Sequence, residues 1–229
     1  MAKSGHFGPD FFRFLGDLRD HNDRHWFLAH KDRYETAVRD PFLRFVADLS
    51  PLLQKLHPPF AADASPVGGS MMRIYRDIRF SRDKSPYKTC VAAHFRHADL
   101  KGESAPALYL HLEPGKSGLG GGLWRPAPPV AKRIRDAIAR DSSRWRRITR
   151  GQRFTSTYTL AGESYMRTPR GYAPGHPLAD DLRRKDFVIG SPLTDRQIAS
   201  RSFLELVVER YKTAMPLMKF LVESVGRSR

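Results

Sequence analysis

The chain has 229 residues, 40% hydrophobic and 11% aromatic, which is typical of a folded protein and excludes a disordered one. The single cysteine excludes an internal disulfide framework, and 40 Lys and Arg against 24 Asp and Glu give a net charge of +16. The sequence contains no apolar run long enough for a transmembrane helix and begins without the apolar segment of a secretory signal, so we expect a cytoplasmic protein without a membrane partner.

The positive charge has two interpretations. Nucleic acid is the commonest polyanion in a cytosol, and binding driven by charge would weaken as salt rises because counterions are released. Alternatively, the charge reflects a proteome that favours arginine over lysine. The Arg-, Ala- and Pro-rich composition of the chain also fits this interpretation. The composition leaves both interpretations open.

Proline and apolar spacing predict helices in the N-terminal part. Apolar residues at helical spacing indicate a helix from Pro9 to Asp20, and Asn22 is the predicted N-cap of a second helix. A third helical stretch follows Pro41, and we expect Pro51 to kink or restart it. These segments predict a helical layer before the first strands.

Residues 71–89, MMRIYRDIRFSRDKSPYKT, begin like a strand and continue as a run of charges and turn residues. Arginine carries fixed donors suited to phosphate or carboxylate, so the run is a candidate anion site. The candidate ligand-binding residues are Arg73, Arg76, Arg79, Lys84, Tyr87 and Lys88, together with Tyr109 downstream. Alternatively, the cations are structural and bind Asp77, Asp83 and backbone carbonyls.

Two strands are predicted next, from Lys88 to His97 and from Ala107 to Glu113. In the second, leucines alternate with Tyr109, His111 and Glu113, which therefore share one face. The glycines at 118–122 predict a tight turn or bulge in a hairpin, so we expect antiparallel pairing.

His111 is the candidate catalytic residue, because an imidazole titrates near neutral pH and can act as general acid or base. Glu113 could orient His111 or balance an arginine. The alternative is that this face is only the solvent-exposed side of an antiparallel sheet whose other side packs on the core. No spacing brings the histidines and carboxylates into a metal site and no cofactor motif is present, so neither a metal nor a cofactor is predicted. Cys90 is interpreted as a buried thiol.

The C-terminal half predicts a helix from Pro128, a weak hairpin from residues 154–160 and 164–167, and a short strand from Asp186 to Gly190. A last helix is expected from about Ser202, with a kink at Pro216. Helices thus flank a central, mostly antiparallel sheet. The predicted fold class is α+β, with residues 1–229 forming a single domain.

The central run, RIYRDIRFSRDKSPYKT, resembles the signature of the family named domain of unknown function 2461. The resemblance extends to Asn22-Asp23, Trp26-Phe27, Lys31 and Tyr34 upstream, and to LYLHLEPG, the glycines before Trp124 and PRGY with its following His-Pro downstream. It covers most of the chain and implies no particular activity.

Three functional hypotheses follow from the residues. The first is a protein that binds an anionic, phosphate-bearing ligand through the Arg/Lys-rich run, with nucleic acid the leading candidate. The second is an enzyme acting on a phosphorylated or carboxylated substrate, with His111 as acid or base and the arginines as an electrostatic clamp. In the third, the run is purely structural. The sequence leaves the oligomeric state open.

Overall fold

An antiparallel sheet forms the centre of the protein. The computed structural model describes residues 5–56, 59–100 and 105–226. In these ranges six strands lie in the order β1-β2-β3-β4-β6-β5, with every neighbouring pair antiparallel. The strands are β1 (Phe60–Ala61), β2 (Val91–His97), β3 (Ala107–Leu112), β4 (Gly118–Leu123), β5 (Thr159–Ala161) and β6 (Phe187–Pro192). The predicted α+β fold class is confirmed.

Helices precede, interrupt and follow this sheet. They are α1 (Pro9–Asp20), α2 (Arg24–Ala29), α3 (Lys31–Tyr34), a π-helical turn (Glu35–Arg39), α4 (Asp40–Leu53), α5 (Pro128–Arg140), α6 (Ser142–Thr149), α7 (Gln152–Thr155), α8 (Ala179–Leu182), α9 (Asp195–Ile198) and α10 (Phe203–Val225). Over the three described ranges, no helix has both the length and the apolar character needed to cross a bilayer.

One face of the sheet is covered by α10, which packs along β4. The leucines of β3 point to this side and are fully buried, as their alternation predicts. The buried Tyr211 of α10 donates a hydrogen bond from its hydroxyl to the carbonyl of Tyr109, at 3.0 Å. We call the opposite side of the sheet, which carries the side chains of Tyr109 and His111, the open face.

The predicted cap of the second helix was wrong, and so was one of the two alternatives predicted at Pro51, a restart of the helix. Asp23 caps α2, because its Oδ1 accepts a hydrogen bond from the Trp26 amide at 2.9 Å, whereas Asn22 bonds to the backbone of Tyr87. Pro51 does not restart the third helical stretch, since α4 continues through it to Leu53. Leu53, in the last turn of α4, is fully buried in the core.

The glycines at 118–122 form strand β4 in the middle of the sheet, so the predicted turn or bulge was wrong. A Cβ on Gly120 would lie 1.9 Å from the carbonyl oxygen of Ile189 in β6, and one on Gly122 would lie 2.0 Å from that of Phe187. The two strands therefore approach so closely that only glycine fits at these positions.

The weak hairpin predicted for residues 154–160 and 164–167 was also wrong. Residues 152–155 form α7, and β5 pairs with the outer side of β6. Tyr158, between them, is buried and donates its hydroxyl to the carbonyl of Arg210 in α10 at 2.8 Å. This anchor directs the residues after it to the edge of the sheet.

Candidate ligand-binding site

Residues 73–89 fold back on themselves as a short antiparallel excursion from the edge of β2, which we call the motif hairpin. The amide of Arg76 donates to the carbonyl of Pro86 at 2.9 Å, and the amide of Lys88 donates to that of Ile74 at 2.8 Å. Just before the hairpin, the Met72 amide donates to the Ala92 carbonyl in β2 at 2.8 Å. The strand-like start predicted from Met72 is therefore an extended segment beside β2.

The motif hairpin is fixed to the N-terminal helices through Tyr87. The side-chain amide of Asn22 forms hydrogen bonds of 3.0 Å with both the N–H and the C=O of Tyr87. The ring of Tyr87 stacks on Phe27 with centroids 4.1 Å apart, and only 3% of the residue is exposed. Tyr87, a predicted ligand-binding residue, lies in the core.

Two of the predicted arginines bind carboxylates of the same hairpin. Arg76 bonds to Asp83 and, at 3.1 Å, to the carbonyl of Ser85. Arg79 forms a bidentate pair with Asp77, with distances of 2.9 and 2.7 Å. Hydrogen bonds from Ser85 and Arg76 lower the pKa of Asp83 to about 2.

The two predicted lysines bind carbonyls of the hairpin. Nζ of Lys84 lies 3.0 Å from the carbonyl oxygen of Ile78, and Nζ of Lys88 lies 2.8 Å from that of Arg73. Burial lowers the pKa of Lys88. The side chain of Arg73 is exposed. The motif hairpin thus already uses donors of four of the five predicted cations, and the ligand-binding role of these residues stays a prediction.

The open face has a different character from the motif hairpin. The strand register aligns three rows of residues across it. The rows are Ala92, His111, Gly118 and Pro192; then His94, Tyr109, Gly120, Gly190 and Thr159; then Arg96, Ala107, Gly122, Val188 and Ala161. Large side chains therefore stand on β2 and β3, whereas β4 and the middle of β6 present almost none.

This contrast creates a groove of about 750 Å³ over β3, β4 and β6. Glycines form its floor, His94, Tyr109 and His111 line one side, and the half-exposed Trp124 is also part of the lining. Gly190 differs from the other glycines of the floor, since a Cβ there would meet no atom within 4 Å. Its missing side chain leaves the groove empty at a position where the fold itself would accept one.

A chain of hydrogen bonds runs along one side of the groove. Nε2 of His111 lies 3.1 Å from Oε2 of Glu113, and Nδ1 of His111 lies 3.1 Å from the hydroxyl of Tyr109. Because a carboxylate only accepts, neutral His111 donates from Nε2 and accepts the Tyr109 proton at Nδ1. Oε1 of Glu113 accepts from the hydroxyl of Thr89 at 3.1 Å and is held in place.

Burial and nearby charges shift the pKa values of Tyr109 and His94 on this side of the groove. Burial raises the pKa of Tyr109 to about 12, so the phenol stays protonated at neutral pH. The ring of His94 lies 4.9 Å from that of Tyr109, between centroids. Burial, together with the nearby positive charges of Arg96 and Lys88, lowers the pKa of His94 and favours its neutral form. Arg96 itself forms no ion pair with a carboxylate of the described ranges.

The structure brings together Tyr109, His111 and Glu113, as the alternation of the strand predicts. Tyr75 packs against Tyr87 beside the N-terminal helices, with ring centroids 5.4 Å apart. Among the residues that the structure describes, no group of three or more His, Cys, Asp or Glu could hold a metal ion.

Sequence reasoning missed Arg96, Trp124 and the glycine floor as parts of one site. The spacing of the glycines in the sequence is a signal that could have identified the floor. Glycines at the alternate positions 118, 120 and 122, next to the buried Leu119 and Leu123, have the period of a strand with one bare face.

Comparison with known proteins gives the chain a family but no activity. None of the curated proteins matches it significantly. The model of one family, described as conserved hypothetical protein (DUF2461), matches residues 10–220, which include the motif hairpin and the groove. The chain therefore belongs to the DUF2461 family, as the signature in residues 73–89 indicated.

Proposed function

We propose that this protein binds an anionic, phosphate-bearing ligand in the groove of the open face, with single-stranded nucleic acid as the leading candidate. The observation that carries the proposal is a bare sheet face on which His94, Tyr109 and Trp124 stand beside a glycine floor. Proteins that bind single strands combine aromatic side chains, on which bases stack, with a positively charged path for the backbone.

Charge and size support this choice of ligand. Arg96 and Lys116 line the groove and are exposed, so both can meet phosphates. The net charge of +16 favours a polyanion over a neutral ligand. The groove volume of about 750 Å³ lies within the usual range of ligand sites. We also propose that the protein acts in the cytoplasm, a reducing compartment that its single cysteine fits.

We further propose that the motif hairpin supports the fold and does not contact the ligand directly, apart from Lys88 at its base. The hydrogen bonds of Arg76, Arg79 and Lys84 within the hairpin favour this role. Lys88 is different, because its charge acts on His94 at the edge of the groove.

Binding can be tested with a short fluorescein-labelled single strand, measured by fluorescence anisotropy at low and moderate salt. Gly190→Val fills the groove where the fold has room, so we expect it to weaken binding by about tenfold or more, the equivalent of losing one stacked base. Arg96→Glu should weaken binding and reduce its salt dependence.

Two control variants separate a groove from a generally basic surface. Gly175→Val adds the same side chain in an exposed loop with open space around it and should leave binding unchanged. Arg82→Glu reverses an exposed charge in the motif hairpin. If Arg82→Glu weakens binding as much as Arg96→Glu does, and Gly190→Val has no effect, then the groove is not the site.

A further inference from the structure

Two imidazoles stand on either side of the Tyr109 ring in the groove. His94 lies directly opposite Tyr109 across β2 and β3, and His111 follows two residues later on β3, bonded to the Tyr109 hydroxyl at 3.1 Å. His94 and His111 are thus diagonal neighbours, a relationship that separates residues on paired strands by roughly 7–8 Å and their Cβ atoms by somewhat less. The rings of His94 and Tyr109, with centroids 4.9 Å apart, therefore place a proton acceptor and a proton donor within reach of one phosphate in the groove.

The surroundings of the two imidazoles prepare them for opposite roles. Burial, together with the nearby charges of Arg96 and Lys88, lowers the pKa of His94 and favours its neutral form, which can accept a proton. Both nitrogens of His111 are already bonded, one to Glu113 and one to Tyr109. With a proton on both of its nitrogens, His111 donates from Nδ1 to the Tyr109 oxygen, and the hydroxyl proton of Tyr109 is then free to reach a ligand.

Arg96 in the lining of the groove and Lys88 close to His94 supply positive charge for a phosphate. Arg96 has no carboxylate partner among the described residues, and Lys88 uses one of its three N–H donors on the carbonyl of Arg73. Both cations act electrostatically on His94. Cations in these positions would stabilise the extra negative charge of a pentacoordinate phosphorus.

We propose that this cluster cleaves single-stranded RNA by transesterification, an inference that rests on the proposed binding of nucleic acid in the groove. His94 takes the proton of a ribose 2′-hydroxyl, the 2′-oxygen bonds to phosphorus, and the bond from phosphorus to the 5′-oxygen breaks. Tyr109 gives its hydroxyl proton to that 5′-oxygen and receives one from Nδ1 of a protonated His111. The products are a 2′,3′-cyclic phosphate and a 5′-hydroxyl.

In this scheme Tyr109 and His94 are catalytic residues, and Glu113 is a positioning residue that acts through His111. Glu113 orients the imidazole and stabilises its protonated form, while the hydroxyl of Thr89 holds the carboxylate. Afterwards His94 loses its proton to water and His111 regains one, so the enzyme returns to its starting state without another reactant.

The experiment uses one labelled single strand in three forms, as RNA, as DNA and as 2′-O-methyl RNA, with a chelator present. We expect the wild-type protein to bind all three and to cut only the RNA, leaving cyclic phosphate ends. Tyr109→Phe keeps the ring for stacking, so binding should persist while cleavage falls about 100-fold or more. His94→Gln should have the same effect, whereas His25→Gln, an exposed histidine on α2, should leave cleavage unchanged.

Glu113→Gln tests the positioning role. We expect it to lower the cleavage rate at saturating RNA while the binding constant for the DNA strand stays the same, a split that general destabilisation would not produce. Melting temperatures of all variants identify any that fail to fold, and the comparison of RNA with 2′-O-methyl RNA needs no variant.

The possible outcomes separate this inference from the proposed function. RNA that is bound but remains intact overturns the inference and leaves nucleic-acid binding standing. Cleavage of the DNA strand, or unchanged cleavage by Tyr109→Phe, also overturns it, because the 2′-hydroxyl or the phenol would not be needed. If no strand is bound or cut, both proposals fail.

Discussion

The side chain of Asn22 pairs with both backbone groups of Tyr87, which is 65 positions away in the sequence. Its Oδ1 accepts the Tyr87 N–H and its Nδ2 donates to the Tyr87 C=O, each at 3.0 Å. Asn22 therefore satisfies the backbone of the motif hairpin on the side where no strand runs. The contact joins the N-terminal helices to the segment that leads into β2.

Replacing Asn22 by alanine should destabilise the protein by about 1–3 kcal/mol, because two partly buried backbone groups of Tyr87 lose their partner. Denaturant unfolding measures the loss. Gln54→Ala removes an amide from an exposed turn and serves as the control. Equal stability of the two variants would contradict a structural role for the Asn22–Tyr87 pair.

The arginines of the motif hairpin should differ in their effect on stability. Arg76 bonds to Asp83 and the Ser85 carbonyl, so Arg76→Ala should lower the melting temperature by about 2–4 °C, corresponding to about 1 kcal/mol. Arg82→Ala, in the same exposed loop, should leave it unchanged. Thermal unfolding by circular dichroism is the measurement, and equal shifts in the two variants would mean that the Arg76 contacts do not stabilise the hairpin.

The sequence predicted the parts of the site that depend on local periodicity. The alternation of leucines with Tyr109, His111 and Glu113 placed these three side chains on one face, because successive residues of a strand point to opposite sides. The boundaries of α1 followed from proline and the apolar spacing. Both are short-range features that the sequence carries directly.

The groove could not be predicted because it depends on pairing between distant strands. Gly190 reaches the floor only because β6 pairs with β4, whereas the glycines of β4 by themselves predict a turn or bulge. Tyr87 is a predicted ligand-binding residue, but its ring stacks on Phe27, which is 60 positions away in the sequence, so its burial has no local signal. Tertiary contacts of this kind decide whether a residue in a charged run is exposed or buried.

The floor glycines should respond differently to substitution. A Cβ on Gly120 would meet the Ile189 carbonyl at 1.9 Å, so Gly120→Ala should destabilise the protein by about 3 kcal/mol or more. Gly190→Val enters open space in a strand and should change stability by less than about 1 kcal/mol. Urea unfolding of both variants tests the contrast. Similar losses would mean that Gly190 is required by the fold and not by the groove.

His94 should make the protein less stable in mild acid. Its pKa is lowered by burial and by Arg96 and Lys88, with the Tyr109 ring as its neighbour on β3. As the pH falls through about 6.5, the usual pKa of histidine, the unfolded chain takes up a proton that the folded protein does not, so unfolding becomes easier. The free energy of unfolding keeps falling until the pH reaches the lowered pKa of His94 in the folded protein. Above the usual histidine pKa of about 6.5, His94 causes no loss of stability.

Denaturant unfolding from about pH 7.5 to about pH 5 measures this effect, since the window brackets the usual histidine pKa. We expect His94→Gln to lose less stability than the wild type across the window, because glutamine does not titrate. His25→Gln removes an exposed histidine and should follow the wild-type curve. If the His94→Gln curve also runs parallel to that of the wild type, then His94 binds its proton equally well in the folded and unfolded protein, and the cations around it do not keep it neutral.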